Sequence, residues 1–318
     1  MNAGFRRTMS LVPAHIARPV IFSCSLILAA LPLATAQAQT TANDCPNGGT
    51  VHFGVEPYED ASVLAPAYQP LADALGKALN CHVELNITTN YTAEIEAMRN
   101  DKLDIAEFGP LAYVFAQKLA NAELAATFAD DNGQPATYTA SIVTWPGSGI
   151  TDITQLGGHS FAYSDPASTS GHLYPAYGLN SNGIDPDNGV QATYAGSHTA
   201  SFEALRNHKV DAGELNSDQI AAATLAGEYS SDQFVTLWQS EPIPQDPITV
   251  RGDLPAAYKQ KIKDTLLAFD FSTLPPDVQK MFHADVGMGG THLVADNDAA
   301  FDQVRSLVST LNVDLNNL

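Results

Sequence analysis

The chain has 318 residues, with 35 acidic and 15 basic side chains, a formal charge of −20 and 45% hydrophobic residues. Such an acidic surface repels nucleic acid and anionic membrane, which excludes charge-driven recognition of either. The length gives room for two lobes with separate cores, and no heptad array, short repeat or long low-complexity tract interrupts it.

The N-terminus reads as a targeting segment. Arg6, Arg7 and Arg18 precede an apolar run over 19–33, and small residues follow at Ala34, Ala36 and Ala38. This is the layout of a secretory signal peptide over 1–38, with cleavage after Ala38 or Ala36. The apolar run is short for a membrane span, and Phe22-Ser23 before Cys24 is a poor lipidation site. Cleavage leaves two cysteines, Cys45 and Cys81, and an even pair in an exported chain predicts a disulfide. It also removes three of the fifteen basic residues and none of the acids, so the mature charge becomes −23.

In chain order, the run over 51–55 reads as a buried strand, followed by a loop, Glu56-Pro57-Tyr58-Glu59-Asp60. Apolar residues at Leu71, Ala74, Leu75, Ala78 and Leu79 have the helical period over 66–80. Strands are predicted over 83–88, 103–106, 124–128 and 138–145, with helices over 91–99 and 109–119 between them. Pro146-Gly147-Ser148-Gly149 marks a lobe boundary, after which the pattern restarts. Strands over 161–163, 190–194, 210–213 and 234–238 alternate with helices over 153–156, 168–180, 198–207 and 217–225. A Pro-rich crossing, Ser240 to Pro247, leads to a strand over 248–250 and helices over 255–269, 276–282 and 299–311. The alternation predicts an α/β fold with mostly parallel strands. The expected division is lobe 1 over 39–145, lobe 2 over 146–245, and a return to lobe 1 over 246–318. Two lobes joined by two crossings form a cleft that closes by hinge motion around a small ligand.

The stretch Asp165-Pro166-Ala167-Ser168-Thr169-Ser170-Gly171 lies where a strand ends and a helix begins. A helix start offers unpaired N–H groups and the positive end of its dipole, and three hydroxyls there add donors. The fitting guest is a small oxyanion. His198 also stands at a helix start, after Gly196-Ser197, and can donate to an anion. Asp211 and Glu214 nearby read as structural.

Taken together, these stretches resemble the periplasmic binding proteins of phosphate/phosphite/phosphonate ABC importers. The resemblance is carried by Phe53-Gly54-Val55, Tyr91 with Ile95-Glu96-Ala97-Met98-Arg99, Phe108-Gly109-Pro110-Leu111-Ala112-Tyr113 and Asp165 to Gly171. Gly196-Ser197-His198, Val210-Asp211-Ala212-Gly213 and Pro242 to Pro247 complete it in family order. It implies a type II fold with two Rossmann-like lobes, a periplasmic location, an ABC permease as partner, a monomer and no cofactor. It also implies an oxyanion site at Ser168, Thr169, Ser170 and His198, lined by Tyr91 and Tyr138. Two acids map to Asp218 and Asp246. Aspartate at 218, where binders of aminoalkylphosphonates carry glutamate, reaches less far and suits a smaller ligand, phosphite or another phosphonate, with phosphate as a further candidate.

Two other classes are weighed against this. An exported hydrolase would use Ser168 or Ser170 with His198 and an acid, but the chain lacks a G-x-S-x-G elbow. Its histidines show no H-E-x-x-H spacing, so no metal site is expected. A sensor domain of the same fold would have the same sequence features.

Overall fold

The computed structural model describes residues 45–314, apart from 47, 277, 280, 281 and 283–290. The expected signal peptide and Cys24 lie outside the described residues, as do residues 277, 280 and 281 of the helix expected over 276–282. All described elements belong to one compact unit, Thr40–Leu318.

Lobe 1 is built on a six-stranded sheet. β1 (Thr50–Val55) pairs in parallel with β2 (His82–Ile87) on one side and β3 (Ile105–Glu107) on the other. Two crossover helices, α1 (Ala61–Leu79) and α2 (Tyr91–Arg99), make this parallel pairing possible. α3 (Pro110–Ala120) leads to β4 (Ala122–Phe128) at the far side of the sheet. Proline at the first position of α3 loses no helical hydrogen bond, since that N–H is an orphan anyway.

The chain then crosses over. β5 (Thr137–Tyr138) belongs to a two-stranded ribbon, and β6 (Ala140–Thr144) lies in the second sheet. The expected boundary at 146–149 is therefore corrected. β6 pairs with β9 (Ala212–Asn216) and β10 (Val235–Gln239), so the first crossing precedes it. The Pro-Gly stretch is only the turn that ends β6; a turn signal in sequence does not say which sheet the strand before it joins.

Lobe 2 continues with β7 (Ser160–Tyr163), α4 (Tyr174–Ser181), β8 (Gln191–Tyr194), α5 (His198–Arg206) and α6 (Ser217–Ala226), in sheet order β10-β6-β9-β7-β8. β11 (Ile243–Pro244) pairs antiparallel with β5, so the two crossings run side by side as a ribbon. β12 (Pro247–Arg251) then enters lobe 1 between β3 and β4, antiparallel to both. The expectation of mostly parallel strands is met at β2-β1-β3 and β8-β7-β9; β12 and β6 run against their neighbours. Each is the first strand after a crossing, so it enters its sheet from the hinge side. α7 (Ala256–Leu267), the short β13 (Leu293–Val294) and α8 (Asp302–Thr310) finish lobe 1.

Each sheet is covered on both faces. Phe53, Tyr68, Leu71 and Leu75 pack with Ile262 and Leu266 on one face of the first sheet, and Met98, Phe108, Phe115 and Val304 on the other. Each such side chain contributes about 1.5–3 kcal/mol through removal from water. The second of these clusters also includes Leu173 and Tyr174 of lobe 2, so the lobes share an apolar contact beside the cleft. Cys45 and Cys81 are bonded, tying the entry of β1 to the end of α1.

Candidate functional site

In open α/β sheets ligands sit beyond the carboxyl ends of the strands. Here those ends from both lobes face one cavity of about 40 Å³. A water needs about 10–15 Å³ on this measure, so the space suits a small ion with little else. All eight expected residues line it: Tyr91, Tyr138, Ser168, Thr169, Ser170, His198, Asp218 and Asp246. Glu56, Tyr58, Glu59, Gly109, Asn216, Gln219 and Gln245 complete the wall and were not anticipated from the sequence.

The turn after β7 forms the lobe 2 side. Residues Thr169–Leu173 make a wide i→i+5 turn that runs into α4. Such π-turns recur at functional sites. Asp165 Oδ1 accepts from Ala167 N–H at 2.8 Å, and Ser168 Oγ caps the turn by accepting from Gly171 N–H at 3.1 Å. Gly171 is required by close approach: a Cβ there would fall 1.7 Å from Ser164 Oγ and 2.9 Å from His198 Cε1. The missing side chain lets His198 reach the turn, with Nε2 3.4 Å from Ser168 Oγ. The Tyr138 hydroxyl bonds with Ser170 and Thr169.

His198 is held by a buried acid. Glu214 at the centre of β9 is fully buried, and both its oxygens lie 3.1 Å from His198 Nδ1. Burial opposes charge on the imidazole, but Glu214 outweighs it and raises the His198 pKa above its ordinary value. A bond from Nδ1–H to Glu214 points Nε2–H at the cavity. Glu214 is thus the positioning partner of a site residue. Its two-residue spacing from Ala212, facing the same side of β9, was the available signal.

The cleft is closed. His198 N–H donates to Tyr58 O at 3.2 Å, and Leu111 N–H to Thr169 Oγ1 at 2.8 Å. Thr199 Oγ1 bonds Glu59, and Tyr91 N–H, at the start of α2, donates to the Asp165 carboxylate. Each joins a lobe 1 residue to a lobe 2 residue.

The opposite wall is acidic. Gln245 Nε2 donates to Asp218 Oδ2 at 2.9 Å. Burial lifts Asp218 to about 6, against the hydrogen bonds from Gln245 and Ser217. Burial, with the charge of Asp218, lifts Asp246 to about 7. Glu56, Glu94 and Glu107 stand beside or behind them, all raised well above the usual carboxylate range, chiefly by burial. The cavity therefore has two chemistries: hydroxyl and imidazole donors on one side, carboxyl groups on the other. Among the described residues no cluster of His, Cys, Asp and Glu could hold a metal ion.

Residues 53–299 match the family described as "ABC transporter, phosphonate, periplasmic substrate-binding protein". The chain belongs to this family. It is therefore the extracytoplasmic solute-binding component of an ABC transporter, with the type II two-lobed fold. This binding protein is 28% identical over 271 residues to the phosphate-import protein PhnD of Mycolicibacterium smegmatis, covering 81% of this chain and 83% of that one. It is 27% identical to the phosphonates-binding periplasmic protein of Escherichia coli, covering 69% of this chain and 66% of that one. Its fold is that of PhnD1 from Prochlorococcus marinus, solved with methylphosphonate: TM-score 0.72 and 20% identity, over 83% of this chain and 98% of that one. No helix among the described residues is long and apolar enough to cross a membrane.

Proposed function

We propose that the cavity binds a small phosphorus oxyanion, phosphite or a simple phosphonate ahead of phosphate, and that the lobes close over it before delivery to a membrane permease. The observation that carries this reading is the Ser168–Thr169–Ser170 turn facing His198 Nε2 inside a closed cleft. Hydroxyls, helix-start N–H groups and a charged imidazole donor converge on one point, which is how an anion is held without a metal. The ligands named for the relatives, phosphate, phosphonates and methylphosphonate, share the same tetrahedral phosphorus. A cavity of about 40 Å³ favours such compact ions over phosphonates with a longer chain. Ser168, Thr169, Ser170, His198, Tyr91 and Tyr138 would hold the oxyanion, with Asp218 and Asp246 across from it. The signal segment 1–38 would be removed on export.

The test is titration calorimetry on protein stripped of ligand by unfolding and refolding. Phosphite and methylphosphonate should bind, each more tightly than phosphate, and Ser168→Ala should weaken both at least about tenfold through loss of a hydrogen bond to a charged group. Absence of heat with all three anions would remove the reading.

A second reading has one observation in its favour. Ser168 Oγ, His198 and Glu214 stand in line, 3.4 and 3.1 Å apart, in the order of a serine hydrolase relay. Two features weigh against it. Ser168 Oγ already accepts Gly171 N–H, and the raised His198 pKa favours imidazolium, the wrong form for a general base. Turnover of phosphate or carboxylate esters that disappears in Ser168→Ala would favour this reading instead.

A further inference from the structure

Holding an oxyanion does not account for the acids that lobe 1 brings to the cavity. Glu56 leaves the end of β1 and lines the cavity while only 1% exposed. Its Oε2 accepts Gly109 N–H, just before α3, at 2.8 Å. Its other oxygen, Oε1, is buried and has no hydrogen-bond partner. The groups acting on it are Glu94 from α2, Glu107 from β3 and Asp246 from the second crossing, and it faces the Tyr91 phenol. No cationic side chain is among them. The arrangement is built in by shape: at Gly54 a Cβ would fall 2.5 Å from Glu94 Oε1, so the strand omits a side chain to admit the acid. Glu107 in turn hydrogen-bonds the Asp246 carboxyl.

An ionised Glu56 facing an ionised ligand oxygen in a dry cavity is strongly unfavourable. One proton between them turns the repulsion into a short charge-assisted hydrogen bond, whichever partner carries it. The proton comes with a monoanionic ligand as P–OH, or from solvent with a dianion. Phosphorus oxyanions can hold it, because their second ionisation lies near pH 6. Sulfate and sulfonates are far weaker bases: they bring no proton to an ionised Glu56 and accept only weakly from a protonated one. Fold does not make this distinction, since an alkanesulfonate-binding protein from Xanthomonas axonopodis shares the fold at TM-score 0.57.

We propose that Glu56 is the specificity-determining residue of this cavity: its free oxygen shares one proton with a ligand oxygen, so the site admits phosphorus oxyanions and rejects sulfur oxyanions. The inference rests on the phosphorus-oxyanion reading of the cavity and adds how the class is chosen.

The experiment is calorimetry on the refolded, ligand-stripped full chain with methylphosphonate, phosphite, phosphate, methanesulfonate, sulfate and aminoethylphosphonate as probes. The wild type binds methylphosphonate at least about 100-fold more tightly than methanesulfonate. Glu56→Gln offers an amide that donates to either anion but cannot share a proton, so this ratio narrows at least about tenfold. Wild-type affinity for methylphosphonate also falls, by up to about tenfold per unit, as pH rises beyond the range in which Glu56 and the ligand ionise, because the complex then holds one more proton than its separated parts. If Glu56→Gln does not fold by its unfolding midpoint, Glu56→Asp withdraws the free oxygen and gives the same narrowing. An unchanged ratio in a folded variant overturns the proposal, as does equal wild-type affinity for methanesulfonate. A loss confined to aminoethylphosphonate also overturns it, since Glu56 would then hold an ammonium group. Both cases leave the phosphorus-oxyanion reading standing. No binding of any phosphorus probe by the wild type overturns that reading and this inference together.

Discussion

Leu111 N–H, in the first turn of α3, donates to Thr169 Oγ1 across the cleft at 2.8 Å. One hydroxyl thus belongs to the proposed oxyanion turn of lobe 2 and also satisfies an orphan helix donor of lobe 1. On the proposed function, closure and ligand capture meet at the same side chain.

Thr169→Val keeps the shape and removes that acceptor. In the closed state the Leu111 N–H is then buried without a partner, a cost of about 1–3 kcal/mol. The open form escapes the cost because water replaces the hydroxyl. Calorimetry should show affinity lower by about 5–150-fold, with stopped-flow release faster. A variant binding as tightly as the wild type would show that this bond does not hold the cleft shut.

His198 and Glu214 give a second prediction. Burial pulls the imidazole towards its neutral form, and Glu214 overcomes it, so the folded pKa lies above 6.5. A raised histidine contributes fully below its unfolded pKa, and the contribution is lost as pH rises through the folded value. Glu214→Gln leaves burial opposed only by the weaker fields of Glu59 and Asp246, so the imidazolium is lost at lower pH. Ligand affinity at neutral pH should drop at least about tenfold, and its pH profile should move to the acid side. Measuring affinity from mildly acidic to mildly alkaline pH for both proteins checks this; superimposable profiles would contradict it.

Much of this site was legible because its pieces are local. Asp165 to Gly171 carries its turn chemistry in adjacent residues, and Ser197-His198 its helix start, so both could be placed before any contact was known. Glu56, Glu59 and Glu107 were not, because nothing in Glu56-Pro57-Tyr58-Glu59-Asp60 distinguishes a solvated loop from one lying against another lobe. The rule that ligands lie beyond strand carboxyl ends would have marked the loop after β1. Glu214 reads as structural in the sequence because its role runs through His198, 16 residues earlier in the chain but adjacent in space. The first crossing was misplaced for a related reason: β6 reads as a buried strand in either lobe, and only its pairing with β9 and β10 assigns it.

The Cys45–Cys81 bond closes a loop with a sequence separation of 36. It joins the entry of β1 to the end of α1, away from the cavity. In the chain-entropy account a loop of this size stabilises by roughly 3–4 kcal/mol by restricting the unfolded chain. The double variant Cys45→Ser, Cys81→Ser should therefore unfold at a midpoint lower by about 6–16 °C. Its calorimetric affinity for methylphosphonate at low temperature should match the wild type. A large loss of affinity in folded protein would mean that the α1 end communicates with the cleft.

Asp218 and Asp246 set the pH dependence of the protein itself. Their folded values are about 6 and about 7, against 3.8 for an ordinary aspartate, chiefly through burial. A raised carboxyl binds its proton more tightly in the closed fold than in the unfolded chain. Between about pH 4 and about pH 7 the folded state therefore holds more protons, and stability falls as pH rises through that window. Above it both states are ionised and this contribution is flat. The ligand-free protein should thus melt at higher temperature near pH 5 than near pH 7.5, opposite to the trend of a protein whose acids are paired with cations. Asp246→Asn removes the larger of the two contributions, so its midpoint should rise at neutral pH by about 2–4 °C for each kcal/mol recovered. The slope through the window should flatten, and ligand affinity should weaken because the acid wall is altered. Scanning calorimetry at several pH values on both proteins decides it. A wild-type midpoint that rises from pH 5 to pH 7.5 would mean that the cleft of the free protein stands open, with both aspartates in water.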